Sequence, residues 1–314
     1  MKRRNNARRV DGILVLDKPP GLTSNAALQR VKGIYFAQKA GHTGSLDPLA
    51  TGVLPICFGE ATKWSQFLLD SDKEYLTTVC LGVTTDTGDA DGTVLEERSA
   101  ADVDVAAIDA VLPRFRGEIE QVPPMYSALK RNGVPLYELA RAGQVVEREA
   151  RRITVYSLER EGFEGGERAS LVLRVCASKG TYIRVVAEDI GAALGCGAHV
   201  ATLRRSRAGP FSDADAVSLD VLDALRADRA FEELDSFLLP ASRALGHLPE
   251  LRLAESSCYY LSQGQAVTVA NLPAPGFVRI AGEDGSFRGV GEVLDDRRVA
   301  PRRMGAAQHA RRAE

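Results

Sequence analysis

What the chain lacks narrows its chemistry first. Cysteine is sparse and scattered: Cys57, Cys80, Cys176, Cys196 and Cys258 are odd in number and form no CxxC pair. Neither a disulfide framework nor a thiolate zinc site is therefore suggested. Cys196-Gly-Ala-His199 supplies one pair of candidate ligands, too few for structural zinc. The loop DTGDADG at 86–92 lacks the ligand spacing and terminal glutamate of a calcium loop. The basic N-terminus is not followed by an apolar h-region, so no signal peptide is expected. No apolar run approaches the roughly 18 residues of a membrane span. The expectation is a reduced, cytoplasmic protein with no metal and no membrane partner.

Net charge is −2, so the whole molecule is not a polycation. Lysine is scarce, and 32 of the 40 basic residues are Arg, which suits phosphates and base edges better than Lys does. Basic runs stand at 2–9 (Lys2, Arg3, Arg4, Arg8, Arg9), at Arg151–Arg152, at Arg204, Arg205 and Arg207, and at 297–312. Acidic runs lie elsewhere, at 70–109 and 213–235. Patches segregated in this way can build one nucleic-acid face on a near-neutral protein. Any single run also reads as solvated surface charge.

A chain of 314 residues has room for two domains. Residues 1–10 read as a disordered basic tail. From Gly12 a short strand runs into a turn, and Ser24 caps a helix with apolar positions Ala27, Leu28, Val31 and Ile34. Glu60–Leu69 and about 102–113 read as helices, Glu74–Val83 as a strand. Strands at about 152–160 and 168–178 precede a helix ending at Ala193 and a strand at about 198–204. This alternation implies an α+β fold, a mixed β-sheet flanked by helices, over residues 11–249. Residues 212–245 read as acidic helices. From 250 to 314 the pattern changes to short strands broken by Gly, Pro and Asn (QAVTVA, GFVRIAG, FRGVGEVL, RVAPRRM), which predicts a small β-barrel.

Two stretches stand out chemically. GHTGSLDPLATG at 41–52 sets one carboxylate, Asp47, among glycines, small hydroxyl residues and proline. Gly41, Gly44 and Gly52 permit tight turns or close approach, and Pro48 suits the first position of a helix. Asp47 is therefore expected at a loop-to-helix junction, ionised near a helix N-terminus. The same pattern is that of an ordinary helix N-cap with Ala50, Val53 and Leu54 as its core face. Both readings stand on spacing alone. Residues 117–150 form a long, weakly periodic segment, and such segments are usually functional or disordered. There Tyr126, Lys130, Arg131, Tyr137 and Arg141 interleave aromatic rings with cations, as single-stranded RNA binders do.

The chain resembles the bacterial TruB family, the tRNA pseudouridine-55 synthases. Besides GHTGSLDPLATG, the matching segments are LDKPPGLTSN, GEATKWSQFLLDSDKEY, TTDTGDADG, PPMYSALK, CASKGTYIRVVAEDIG and LGCGAHVATLRR. They follow the family's order over essentially the whole chain. Ser45 stands where Thr or Ala is expected. The resemblance implies a pseudouridine-synthase catalytic domain with an RNA-clamping insertion at about 117–150. It also implies a reduced PUA-type RNA-binding domain at 250–314.

By the same resemblance Asp47 is the nucleophile and Arg184 its ion-pair partner. Tyr75 stacks on the uracil and assists the deprotonation at C5, His42 helps hold the displaced RNA, and Tyr182 and Leu203 line the base pocket. Expected RNA contacts are Lys18, Lys63, Tyr126, Lys130, Arg141, Arg204 and Arg205. The implied substrate is the T-arm stem-loop of tRNA, with no cofactor and no obligatory protein or guide-RNA partner. A base-releasing hydrolase would usually show a second carboxylate to activate water, and the motif has none. A pure binding protein would have no need of the Tyr75, Asp47 and Arg184 set. All the expected catalytic residues precede position 204, so loss of 250–314 is expected to spare some activity.

Overall fold

Gly12–Lys18 and Thr51–Phe58 are apolar at nearly every position, the pattern of strands covered on both faces. In the computed structural model, which describes residues 7–305, they pair antiparallel inside a mixed sheet. Their side chains alternate between two cores. Leu14, Leu16, Leu54, Ile56 and Phe58 enter one, while Ile13, Val15, Val53 and Cys57 enter the other. That is the period of two that a strand imposes.

The helix expected after Asp47 is thus corrected to a strand. A short apolar run does not distinguish a buried strand from a buried helix by periodicity. What decides it is Gly52, whose φ is +97° and at which a Cβ would lie 2.3 Å from the Arg205 carbonyl oxygen. The backbone there is pressed against a neighbouring strand, and only glycine fits.

Among the described residues the sheet has ten strands. Its path runs Val217–Ser218, Gly12–Lys18, Thr51–Phe58, Ala198–Ala208, Lys73–Leu81, Ser170–Ala177, Arg151–Glu164 and Gly117–Gln121. Ala40–His42 and Phe211–Ser212 attach beside it. Helix Ser24–Ile34 covers one face with Ala27, Leu28, Val31 and Ile34, as its spacing predicts. Its cap is Thr23, which accepts from the Ala26 N–H, and not Ser24. Helix Ile183–Ala193 covers the same core with Ile183, Val186, Ala187 and Ile190.

The segment 117–150 is less irregular than expected. Gly117–Gln121 is an edge strand, and a small hairpin at 130–135 leads into helix Leu136–Arg141. The expected acidic helices after 212 are Leu219–Ala227 and Phe231–Ser236. The tail at 1–10 and the basic run to 312 lie partly outside the described residues.

The C-terminal strands form a second, five-stranded sheet in the order Glu250–Leu253, Gly276–Gly282, Phe287–Val293, Arg298–Met304, Val267–Thr268. A helix at Glu255–Ser262 was not anticipated, because it buries little beyond Cys258 and Leu261. This sheet packs on the first unit through aromatic contacts. The rings of Trp64 and Phe287 are 5.0 Å apart, and those of Phe67 and Phe277 are 6.0 Å apart. Arg303 adds a hydrogen bond of 2.8 Å to the Lys63 carbonyl. Among the described residues no helix is long and apolar enough to cross a membrane.

Candidate active site

The loop carrying Asp47 is held from four sides. Ser24 Oγ accepts from the Leu46 N–H at 2.7 Å and donates to the Leu46 carbonyl at 3.0 Å. The Pro48 carbonyl accepts from the Gly21 N–H at 2.8 Å and from Lys18 Nζ at 3.3 Å. A turn closes through the Ala50 N–H on the Asp47 carbonyl at 3.1 Å. Arg205 Nη2 donates to the Gly44 carbonyl at 3.1 Å. The residues flanking Asp47 are therefore fixed, and its side chain is left to face a cavity.

Arg184 meets that side chain. Its Nε lies 3.0 Å from Asp47 Oδ2 and 3.7 Å from Asp89 Oδ2. Nη1 donates to the Thr87 carbonyl at 2.6 Å, and Nη2 to the Tyr126 carbonyl at 2.7 Å. Arg184 is 4% exposed, whereas the Asp47 side chain is 40% exposed. The cation is thus a buried fixture and the carboxylate is its accessible end. Although Asp47 reaches the cavity, protein surrounds the carboxyl, and burial pushes its pKa upward. The Arg184 guanidinium pulls it back, Asp89 adds to the rise, and Lys18 opposes it. The environment is not the charge-favouring helix terminus that spacing suggested.

The cavity, of about 290 Å³, is lined by Asp47, Tyr75, Tyr182, Arg184, Leu203 and Arg205, with Lys73 and Ser127 among its other walls. Tyr75 comes from the strand beside Ala198–Ala208, whose register sets Arg205 opposite Tyr75 and Leu203 opposite Thr77. Arg205 stands against the Tyr75 phenol, and burial pulls the pKa of its guanidinium down. Tyr182 ends the approach to helix Ile183–Ala193 and is locked by Gln121. The Tyr182 N–H donates to Gln121 Oε1 at 2.8 Å, and Gln121 Nε2 donates to the Tyr182 carbonyl at 3.1 Å. A larger cavity of about 450 Å³ lies in the insertion, lined by Lys130, Arg131, Arg148 and Arg151 among others. Its walls hold neither Asp47 nor Arg184, which both line the smaller cavity.

Several expected contacts are relocated. Lys18 is 0% exposed; its ammonium is spent on the carbonyls of Pro19, Leu22 and Pro48, and burial pulls its pKa down to about 8. It cannot touch RNA and instead anchors the Asp47 loop. Arg205, 1% exposed, is likewise no surface phosphate contact; it donates to the Val53 and Gly44 carbonyls beneath the cavity. Arg204 points the other way and pairs with Asp17 at 3.0 Å and Asp213 at 2.7 Å. Lys63 pairs with Glu60 at 2.6 Å, far along the chain from the insertion.

Tyr126, Lys130 and Arg141 stay on the insertion, where Arg141 lies over the Tyr137 ring. His42 is not among the cavity walls; it sits on strand Ala40–His42, and burial lowers its pKa, with Arg205 adding to the effect. Reading the sequence missed Asp89, Lys73 and Gln121. The signal for Asp89 was the matching segment TTDTGDADG, whose acidic residues were weighed individually only as calcium ligands.

Asp89 answers the hydrolase alternative. It is 5% exposed and absent from the cavity walls, so it has no access to a water at the substrate. On this α+β scaffold the cavity presents one accessible carboxylate, held by a buried arginine beside a tyrosine. Comparison with known proteins makes this specific. The model of the TruB family pseudouridylate synthase N-terminal domain matches residues 32–183. Those of the tRNA pseudouridylate synthase B C-terminal domain and of the pseudouridine synthase II TruB C-terminal region match 184–246 and 249–304.

A protein of Ectopseudomonas mendocina (strain ymp) called tRNA pseudouridine synthase B is 59% identical over 297 residues, 95% of this chain and 96% of that one. One of the same name from Pseudomonas aeruginosa (strain UCBPP-PA14) is 56% identical over 299 residues, with the same coverage. Among solved structures, a Cbf5-Nop10-Gar1 complex is similar at 29% identity and TM-score 0.69, covering 94% of this chain and 88% of that one. An H/ACA RNP bound to a substrate RNA containing 2′-deoxyuridine is similar at 27% and 0.68, covering 94% and 87%. The chain belongs to the TruB family of pseudouridylate synthases.

Proposed function

We propose that this synthase isomerises the uridine at position 55, in the T-arm loop of tRNA, with Asp47 as nucleophile acting on a base flipped out of its stack. The observation that carries the reading is the Asp47 carboxylate, held by Arg184 at 3.0 Å and open to a cavity beside Tyr75. The name shared by relatives of 59% and 56% identity supports tRNA as substrate. In the reaction the N1–C1′ bond breaks, the base turns over, and a C5–C1′ bond forms. A proton leaves C5 and one is taken up at N1. Electrons and atoms balance within the nucleotide, so the chemistry needs a nucleophile and a proton acceptor and no redox cofactor.

The side chains divide this work. Arg184 orients Asp47 and favours its charged form. Tyr75 stacks on the uracil, and with Arg205 against its hydroxyl it is placed to accept the C5 proton. Tyr182 and Leu203 confine the base, while His42 holds the displaced strand from outside the cavity. Residues 11–249 form the catalytic domain, the 117–150 segment clamps the RNA arm with Tyr126, Lys130 and Arg141, and 250–314 add PUA-type binding. Arg204 and Lys63, each paired with a carboxylate yet still about a third exposed, contact phosphates away from the cavity. The protein acts in the cytoplasm without a guide RNA.

Asp47→Asn tests the reading. Asparagine keeps the size of the side chain and can still accept from Arg184 Nε. Arg184 also keeps its bonds to Thr87 and Tyr126, so the melting temperature should move by only a few degrees. Tritium release from C5-labelled uridine in tRNA should fall to background while tRNA affinity persists. Near-normal turnover by a folded Asp47→Asn protein would end the mechanism.

A further inference from the structure

Ser127 is 6% exposed, and its hydroxyl oxygen is sealed from solvent without a hydrogen-bond partner in the protein. Its backbone groups are both engaged. The N–H donates to the Met125 carbonyl at 2.9 Å, and the carbonyl accepts from the Tyr137 N–H at 3.1 Å. The carbonyl just before it, on Tyr126, is held by Arg184 Nη2 at 2.7 Å. The residue is thus fixed on both sides, and it lines the cavity with Asp47, Tyr75 and Arg205. The Tyr182 phenol lies close enough to feel it, yet the pair falls short of hydrogen-bonding geometry. Burying a hydroxyl without a partner costs stability, so a site that keeps one has a use for it.

The cations around the cavity are turned toward protein acceptors. Lys73 Nζ donates to the carbonyls of Leu68 at 3.1 Å and Leu69 at 2.8 Å, and also to that of Ser71. Arg205 donates to Val53 and Gly44, and Arg184 to Thr87, Tyr126 and the carboxylates. Ser127 Oγ–H, by contrast, is left without an acceptor in this wall. A uridine offers oxygens to such a donor at O2, O4 and the ribose 2′-hydroxyl.

We propose that the Ser127 hydroxyl is a positioning contact for the substrate, rotating out of its sealed position to donate a hydrogen bond to an oxygen of the target uridine once it occupies the cavity. This rests on the reading that the cavity takes a flipped uridine. The contact holds the nucleotide against Asp47 rather than reacting with it, and it comes from the segment proposed to clamp the RNA. Seating that segment therefore completes the cavity.

The test uses the full-length protein and a T-arm stem-loop RNA. Ser127→Ala removes the hydroxyl and leaves the carbonyl and N–H bonds. Its melting temperature should equal or exceed that of the wild type, since a partnerless buried hydroxyl is removed. Its single-turnover rate should fall about fivefold to tenfold, the effect of one neutral hydrogen bond, with RNA affinity unchanged. The same pair of proteins is then compared on RNAs carrying 2-thiouridine, 4-thiouridine or 2′-deoxyuridine at the target. The penalty of Ser127→Ala should shrink on the analogue that weakens or removes its acceptor, which names the oxygen. A penalty unchanged on all three, a wild-type rate in Ser127→Ala, or a lowered melting temperature with proportionate loss of activity would each overturn the contact. Inactivity of the wild-type protein on this RNA would instead defeat the substrate reading.

Discussion

At the scale of single residues, Asp47 is tuned by opposition. Burial raises its pKa from 3.8, Arg184 lowers it and Asp89 raises it again. A carboxylate nucleophile works ionised, so activity is present above the folded-state pKa and lost as pH falls through it. The acid limb of kcat/KM should therefore lie above the ordinary carboxylate value. Asp89→Asn removes one cause of the rise and leaves Arg184 more fully to Asp47. The limb should then move to lower pH, in a protein whose rate at neutral pH also falls because Arg184 is less firmly aimed. A pH–rate profile of the variant checks both. A limb displaced upward would show that Asp89 acts by holding the 86–92 loop and not by its charge.

At the scale of elements, helix Ile183–Ala193 begins without a side-chain cap of its own, and Gln121 on the edge strand supplies the missing partner for Tyr182 N–H. Gln121→Leu matches the volume and leaves that N–H orphaned in a buried place. The expected cost is about 1–3 kcal/mol, seen as a lower denaturation midpoint. Because the helix carries Arg184, turnover should fall as well. An unchanged midpoint would mean that water replaces the amide.

The sequence made this helix and the strands of the sheet legible through their apolar periods. It left the run after Asp47 ambiguous, because Val53 and Leu54 feed two different cores and so satisfy strand and helix templates alike. The resemblance carried Tyr75, Tyr182, Arg184 and Leu203 to one cavity. Nothing local marked Lys18 and Arg205 as buried. The carbonyls that draw them inward belong in part to loops 30 and more residues away. Asp89 was hidden for the same reason, since its partner Arg184 is brought to it by the sheet.

At the scale of the whole molecule, the second sheet does not hang free. Phe287 and Val290 pack with Trp64, and the segment Gly59–Leu69 that carries Trp64 leads directly into the strand bearing Tyr75. This packing argues against a severable C-terminal unit. Trp64 is the single tryptophan of the chain, so its fluorescence reports the junction alone. In Phe287→Ala the loss of the ring contact should cost on the order of 2 kcal/mol, less than for a fully buried Phe. The fluorescence transition should precede the loss of far-UV circular dichroism, and turnover should decline with the first. Coincident transitions at the wild-type midpoint would show that the junction contributes nothing to the catalytic unit.

The four-way grip of Arg184 has a thermodynamic corollary. One guanidinium serves both the carboxylate of the reaction loop and the Tyr126 carbonyl of the insertion. Whatever free energy RNA gains by stabilising the seated insertion is therefore shared with the aim of Asp47, and the linkage is reciprocal. Recognition and reactivity become two readings of one equilibrium. A truncated RNA that fills the cavity without engaging residues 117–150 should be tolerated as a ligand and converted poorly, so that uridines lacking the full arm are spared.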